Sequence, residues 1–81
     1  MLVKVRLFGS LRERAGRAEF RLELALGATA EAAWNALVAS SPELASRRPS
    51  LGVAVNRVYA DFETDLQEGD EVVFIPPVSG G

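Results

Sequence analysis

Residues 2 to 8, LVKVRLF, alternate between apolar and polar positions: Val3, Val5 and Leu7 share one face, and Lys4, Arg6 and Phe8 share the other. That period of two predicts a half-buried strand. Ser10-Leu11-Arg12-Glu13 has capping-box form, in which hydroxyl and carboxylate would each satisfy an orphan backbone N–H, and Gly16 supplies a stop, so a short helical turn follows. From Ala18 to Leu24 the alternation resumes, with Phe20, Leu22 and Leu24 turned in and Glu19, Arg21 and Glu23 turned out. Thr29 then reads as the N-cap of the main helix, whose Ala30, Ala33, Trp34, Leu37 and Val38 follow the i, i+3, i+4, i+7, i+8 spacing of one buried stripe.

Ser41-Pro42 can open a further short helical turn, because proline at the first helical position lacks only an N–H that has no partner there. Arg47 to Ser50 reads as loop. Val53 and Val55 mark a third strand, Asn56-Arg57 a turn in which Asn56 serves the backbone geometry, and Val58-Tyr59-Ala60 a fourth segment. The last strand, Glu71 to Ile75, is apolar at Val72, Val73, Phe74 and Ile75 in succession, as expected of a central strand covered on both faces. Strand, strand, helix and further strands, with the first and last strands parallel in the middle, predict an α+β fold of the β-grasp, ubiquitin-like class. Its mixed sheet of four to five strands would pack on one main helix, and the long intervening chain supplies the crossover that parallel neighbours need. The expected division is a body over residues 1–75 and an extended tail over 76–81.

Composition narrows what such a body can do. Eighty-one residues make one small domain, and a chain of this size buries only about 60–65% of its unfolded surface, which leaves little room for a deep active site. A formal net charge of −2 offers no footprint for nucleic acid. The sequence has no cysteine and no histidine, so thiolate and imidazole chemistry, disulfides and the usual zinc sites are excluded. No apolar run approaches the ~20 residues that span a bilayer, and MLVKVRLFG lacks the layout of a signal peptide; no membrane association and a cytoplasmic location are expected. Charge is uneven: residues 1 to 21 hold six Lys/Arg against two Asp/Glu, while Asp61, Glu63, Asp65, Glu68, Asp70 and Glu71 form an acidic run. That run is either a solvated loop face or a docking patch beside the tail.

The remaining chemistry sits in the final stretch, FIPPVSGG. Pro76-Pro77 fixes φ at two positions and favours an extended rod. Gly80 and Gly81 carry no Cβ, so this segment can enter a narrow slot and approach another backbone or a nucleotide closely. The carboxylate of Gly81 would be the working group, and it is a poor electrophile until activated, most simply by adenylation. The chain has no GxxxxGK[ST] loop with which to hold ATP. Another protein must perform the activation.

The stretches VRLFGSLRERAG and VAVNRVYADFETDLQEGDEVVFIPPVSGG, together with the total length, resemble the small, sulfur-carrier subunits of molybdopterin synthase. The resemblance spans nearly the whole chain, although residues 28 to 48 match only in pattern. It implies that a ubiquitin-activating-like adenylyltransferase consumes ATP to adenylate Gly81, and that a sulfur donor enzyme converts the adenylate to a thiocarboxylate. It further implies that the tail, Pro76, Pro77, Val78, Ser79, Gly80 and Gly81, inserts into the large subunit, where sulfur passes to a cyclic pyranopterin monophosphate. No permanently bound cofactor and a heterotetramer with two large subunits are implied as well. Partner contacts would lie on an apolar patch near the sheet, and the strand phase suggests Phe8, Tyr59 and Ile75, with Phe8 and Ile75 as plain core residues the competing reading.

Three alternatives stand beside this. The sulfur carrier for the thiazole of thiamine shares the fold and the Gly-Gly end. A ubiquitin-like protein modifier would use the same tail, although Lys4 is the single lysine available for chain building. A β-grasp binding module with an inert tail is the plainest.

Overall fold

The computed structural model describes residues 1–77. Along the chain run β1 (Leu2–Leu7), α1 (Gly9–Ala15), β2 (Glu19–Glu23), α2 (Ala30–Ser40), a 3-10 segment (Pro42–Ser50), β3 (Gly52–Val55), β4 (Val58–Ala60) and β5 (Glu71–Ile75). The strands form one sheet in the order β2-β1-β5-β3-β4, with β1 and β5 parallel at its centre and the other neighbours antiparallel. This is the β-grasp arrangement that the element order predicts.

The alternation in β1 translates directly into burial: Val3, Val5 and Leu7 are at most 1% exposed. Phe20, Val53, Val72 and Phe74 join them, and Ala30, Ala33, Trp34 and Leu37 of α2 close over that face. Trp34 meets Phe74 edge-on, with ring centroids 5.1 Å apart, and Phe62 stacks on Phe74 at 6.0 Å, both arrangements that aromatic quadrupoles favour. Thr29 caps α2 as expected, its hydroxyl oxygen accepting from the Ala32 N–H at 3.2 Å. The β3–β4 connection is a two-residue turn with Asn56 at φ 51° and Arg57 at φ 69°, the left-handed pair that suits the twist of a tight hairpin. The Asn56 side chain accepts from the Glu71 N–H at 2.9 Å and donates to Asp70 Oδ1 at 2.8 Å, which ties the turn to β5.

Four expectations are corrected. The capping box at Ser10 does not form, because α1 starts at Gly9 and its N-cap position is Phe8, extended at φ −129°, with no side-chain cap. Gly9, at φ 55°, turns the chain straight off the strand, so Ser10 is already past the corner. The first strand accordingly ends at Leu7. Residues 47–50 are not loop but the last part of the 3-10 segment, held by Arg48, whose guanidinium forks onto the Glu31 carboxylate and lies 3.5 Å from the Phe62 ring centroid. Finally, β5 is covered on one face only: Val72 and Phe74 are fully buried, while Val73 and Ile75 are half-buried. The helix packs on the opposite side from Val73 and Ile75, whose face of the sheet carries no packed helix among the described residues.

Candidate functional site

The open face is assembled from every strand. Pairing register sets Glu19 opposite Arg6, Arg6 opposite Val73, Val73 opposite Ala54 and Ala54 opposite Tyr59, one continuous row across β2, β1, β5, β3 and β4. Two residues further along β5, Ile75 lies opposite Gly52. A Cβ built on Gly52 would stand 3.8 Å from the Ile75 Cβ, so glycine there leaves the flank of Ile75 uncovered. Leu7 is opposite Phe74, and Phe8, one residue on and still extended, therefore comes level with Ile75. The Arg6 guanidinium carbon lies 5.7 Å from the Phe8 ring centroid, on the same face.

Phe8 is 48% exposed and Tyr59 85% exposed, whereas Ile75 is half-buried at the end of β5. The three thus share one face without being core residues, and their common neighbours Val73 and Ala54 complete an apolar strip. Sequence reasoning missed Val73 and Ala54. The unbroken apolar run of β5 was the signal for Val73, and the run Val53-Ala54-Val55 of β3 that for Ala54: a strand roofed on one side has no need of apolar residues on the other unless something covers them.

From Ile75 the chain continues into Pro76, half-buried, and Pro77, exposed. Val78, Ser79, Gly80 and Gly81 lie outside the described residues. The tail thus leaves the body from the same strand end that carries the apolar strip.

The later part of the acidic run lies at the opposite end of β5 from the root of the tail. Glu68 and Asp70 precede β5 and Glu71 opens it, and four residue steps put Ile75 about 13 Å from Glu71. Their carboxylates are also engaged locally. Glu68 accepts from the Leu2 N–H at 3.1 Å, Asp70 from the Asn56 side chain and the Gln67 N–H, each at 2.8 Å, and Glu71 pairs with Arg6 and Arg57. Asp61 likewise closes its own turn by accepting from the Glu63 N–H at 2.9 Å.

A shallow open depression of 620 Å³ flanks β4, lined by Val55, Val58, Tyr59, Ala60, Asp61 and Thr64. No group of three or more Asp and Glu that could hold a metal ion occurs among the described residues, and none of their helices is long and apolar enough to cross a membrane. Glu31 is held below its ordinary pKa by the hydrogen bonds from Arg48, a structural pair between α2 and the 3-10 segment. What the open face offers chemically is apolar area flanked by the cations Lys4, Arg6 and Arg21, and the root of the tail.

Residues 5–81 match the ThiS family. The chain belongs to that family. It is 40% identical over 84 residues to the molybdopterin synthase sulfur carrier subunit of Chlamydomonas reinhardtii, a comparison covering the full length of both chains. Among solved structures, this ThiS-family chain superposes on the small archaeal modifier protein 1 of Haloferax volcanii with a TM-score of 0.89 and 30% identity, covering 95% of this chain and 98% of that one. It also resembles a chain in the protein–protein complex of subunits 1 and 2 of the molybdopterin-converting factor from Helicobacter pylori, with a TM-score of 0.70 and 27% identity over the whole of both.

Proposed function

We propose that this chain is the sulfur-carrier subunit of molybdopterin synthase, a cytoplasmic protein that carries sulfur as a thiocarboxylate on Gly81 while its partners perform the catalysis. The observation that carries the reading is the full-length similarity to sulfur carrier subunits. The structure adds an apolar face at the strand end from which the tail departs.

In the proposed cycle an adenylyltransferase joins the Gly81 carboxylate to the α-phosphoryl group of ATP, with pyrophosphate leaving. A sulfur donor then supplies hydrosulfide, whose sulfur attacks the acyl carbon as the C–O bond to AMP breaks, leaving the thiocarboxylate. Glycine places no side chain in the path of that attack. The open face seats on the large subunit through Phe8, Tyr59 and Ile75, which directs Pro76 and Pro77 toward the partner's active site. There Val78, Ser79 and Gly80 thread the channel, and sulfur passes to the cyclic pyranopterin monophosphate. Seclusion from water protects the activated carbonyl. This chain keeps no cofactor, and ATP is spent on the activating enzyme.

The similarity to the archaeal modifier favours one second reading, attachment of Gly81 to amines of target proteins. Intact-mass analysis before and after incubation with ATP, the adenylyltransferase and a sulfur source tests the first. The expected shift equals one oxygen replaced by sulfur and disappears when Gly81 is deleted; no shift under active conditions overturns it. Conversion of the pterin precursor by the thiocarboxylated protein with the large subunit is then expected, and conjugates without conversion would favour the modifier.

A further inference from the structure

The apolar strip has a cation at one end, and that cation is underused. Arg6 lies between Phe8, Val73 and Glu19 in the cross-sheet row. Its Nε is buried and has no hydrogen-bond partner among the described residues. Glu19 approaches Nε at 3.9 Å and Glu71 approaches Nη1 at 3.7 Å, beyond the ~2.7–3.2 Å of a hydrogen bond. The two carboxylates, from the strands on either side, hold the guanidinium in place by charge and leave its five-donor fork unsaturated. The side chain is still 39% exposed, so atoms other than the buried Nε are open to solvent.

We infer that Arg6 is the specificity residue of this face, and that it requires a carboxylate set within an otherwise apolar patch of the large subunit. The inference rests on the functional reading above. A planar guanidinium accepts a carboxylate through two parallel hydrogen bonds, and docking an apolar surface over Arg6 strands it unless such a group arrives. A partner lacking the carboxylate therefore loses affinity by covering guanidinium donors that Glu19 and Glu71 approach without hydrogen-bonding, which makes the residue a filter as well as an anchor. Glu19 and Glu71 sharpen the choice, since two negative neighbours tolerate a single carboxylate better than a phosphate dianion. The large subunit is the occupant because the strip adjoins the strand end from which the tail leaves, and the Helicobacter pylori relative occurs in a complex of subunits 1 and 2.

The test compares the parent chain with R6L and R6K by calorimetric titration against the large subunit, with urea unfolding run in parallel. R6L keeps the apolar stem and removes the donors; the expected result is affinity weakened about 10–100-fold with no lower unfolding midpoint, because the lost Nε–H had no acceptor. R6K restores charge without the fork and should fall between parent and R6L. Among large-subunit variants with single surface carboxylates changed to amides, one should weaken the parent and leave R6L unaffected. R6L binding as tightly as the parent overturns the inference and leaves the proposed function standing, as does a loss that merely follows a lower unfolding midpoint. Failure of the parent chain itself to bind the large subunit overturns both.

Discussion

The two faces of the sheet are made of the same strands and obey different rules. On the roofed face Val5, Val72 and Phe74 are 0% exposed and lie in one core with Trp34 and Leu37. On the open face Arg6, Val73, Ala54 and Tyr59 form a row whose exposure rises from the buried Ala54 to the 85% exposed Tyr59. The roofed face is complete within the chain, and its apolar residues are accounted for by folding. The open face carries more apolar area than folding uses, around a guanidinium with spare donors. A β-grasp body can therefore hold its tail on a rigid strand while leaving the adjoining face for recognition.

The largest expected effect would come from exchanging these roles. Phe74→Ala removes a ring that touches both Trp34 and Phe62 and should lower stability by about 3–5 kcal/mol in urea unfolding. Tyr59→Ala, on the open face, should stay within about 0.5 kcal/mol; equal losses would erase the distinction. Next in size, Phe8→Ala should weaken binding to the large subunit by about 2 kcal/mol, roughly 30-fold, as expected for an aromatic anchor. Its unfolding midpoint should hardly move, since the ring is 48% exposed. Calorimetry and urea titration together decide whether Phe8 belongs to recognition or to the core.

Much of the roofed face was legible because the alternation of β1 and the helical spacing from Ala30 to Val38 are local signals. The same phase placed Phe8 with Lys4 and Arg6. The row Arg6–Val73–Ala54–Tyr59 was not legible, since it depends on the pairing of Arg6 with Val73, residues more than sixty positions apart. An unbroken apolar run is likewise ambiguous in β5: burial on two faces and exposure of one face to a partner write the same letters. Ser10 failed as a cap for a geometric reason, because Gly9 had already made the corner. The 3-10 segment was legible where it opens, at Ser41-Pro42, but not in its continuation over residues 47–50, whose anchor, the fork of Arg48 on Glu31, joins residues seventeen positions apart.

Smaller effects test the attachments that hold the roof on the sheet. Thr29→Ala removes the acceptor for the Ala32 N–H and should cost about 1 kcal/mol, with Thr29→Ser recovering most of it. This cap matters to the comparison because the start of α2 is also pinned by the Ala30 N–H to Thr64 C=O bond and the Leu66 N–H to Ala28 C=O bond. Losing it loosens the roof and leaves the open face unchanged.

The smallest expected effect is at Glu31 and Arg48, where sign matters more than size. Hydrogen bonds from Arg48 lower the Glu31 pKa below its ordinary 4.5, so folding favours the ionised form. Stability from this source is present above the unfolded-state value and is lost as pH falls through the lower folded-state value. Both side chains are about a third exposed, and solvent screening limits the pair to about 0.5 kcal/mol. Glu31→Gln should therefore be slightly less stable than the parent at neutral pH, with the gap closing as pH drops below about 4.5. A gap that widened toward acid would mean that the carboxyl is favoured in its neutral form, contrary to the fork seen here. Because the pair braces α2 against the 3-10 segment, far from Phe8 and Ile75 in the chain, affinity for the large subunit should stay constant while this small stability difference comes and goes.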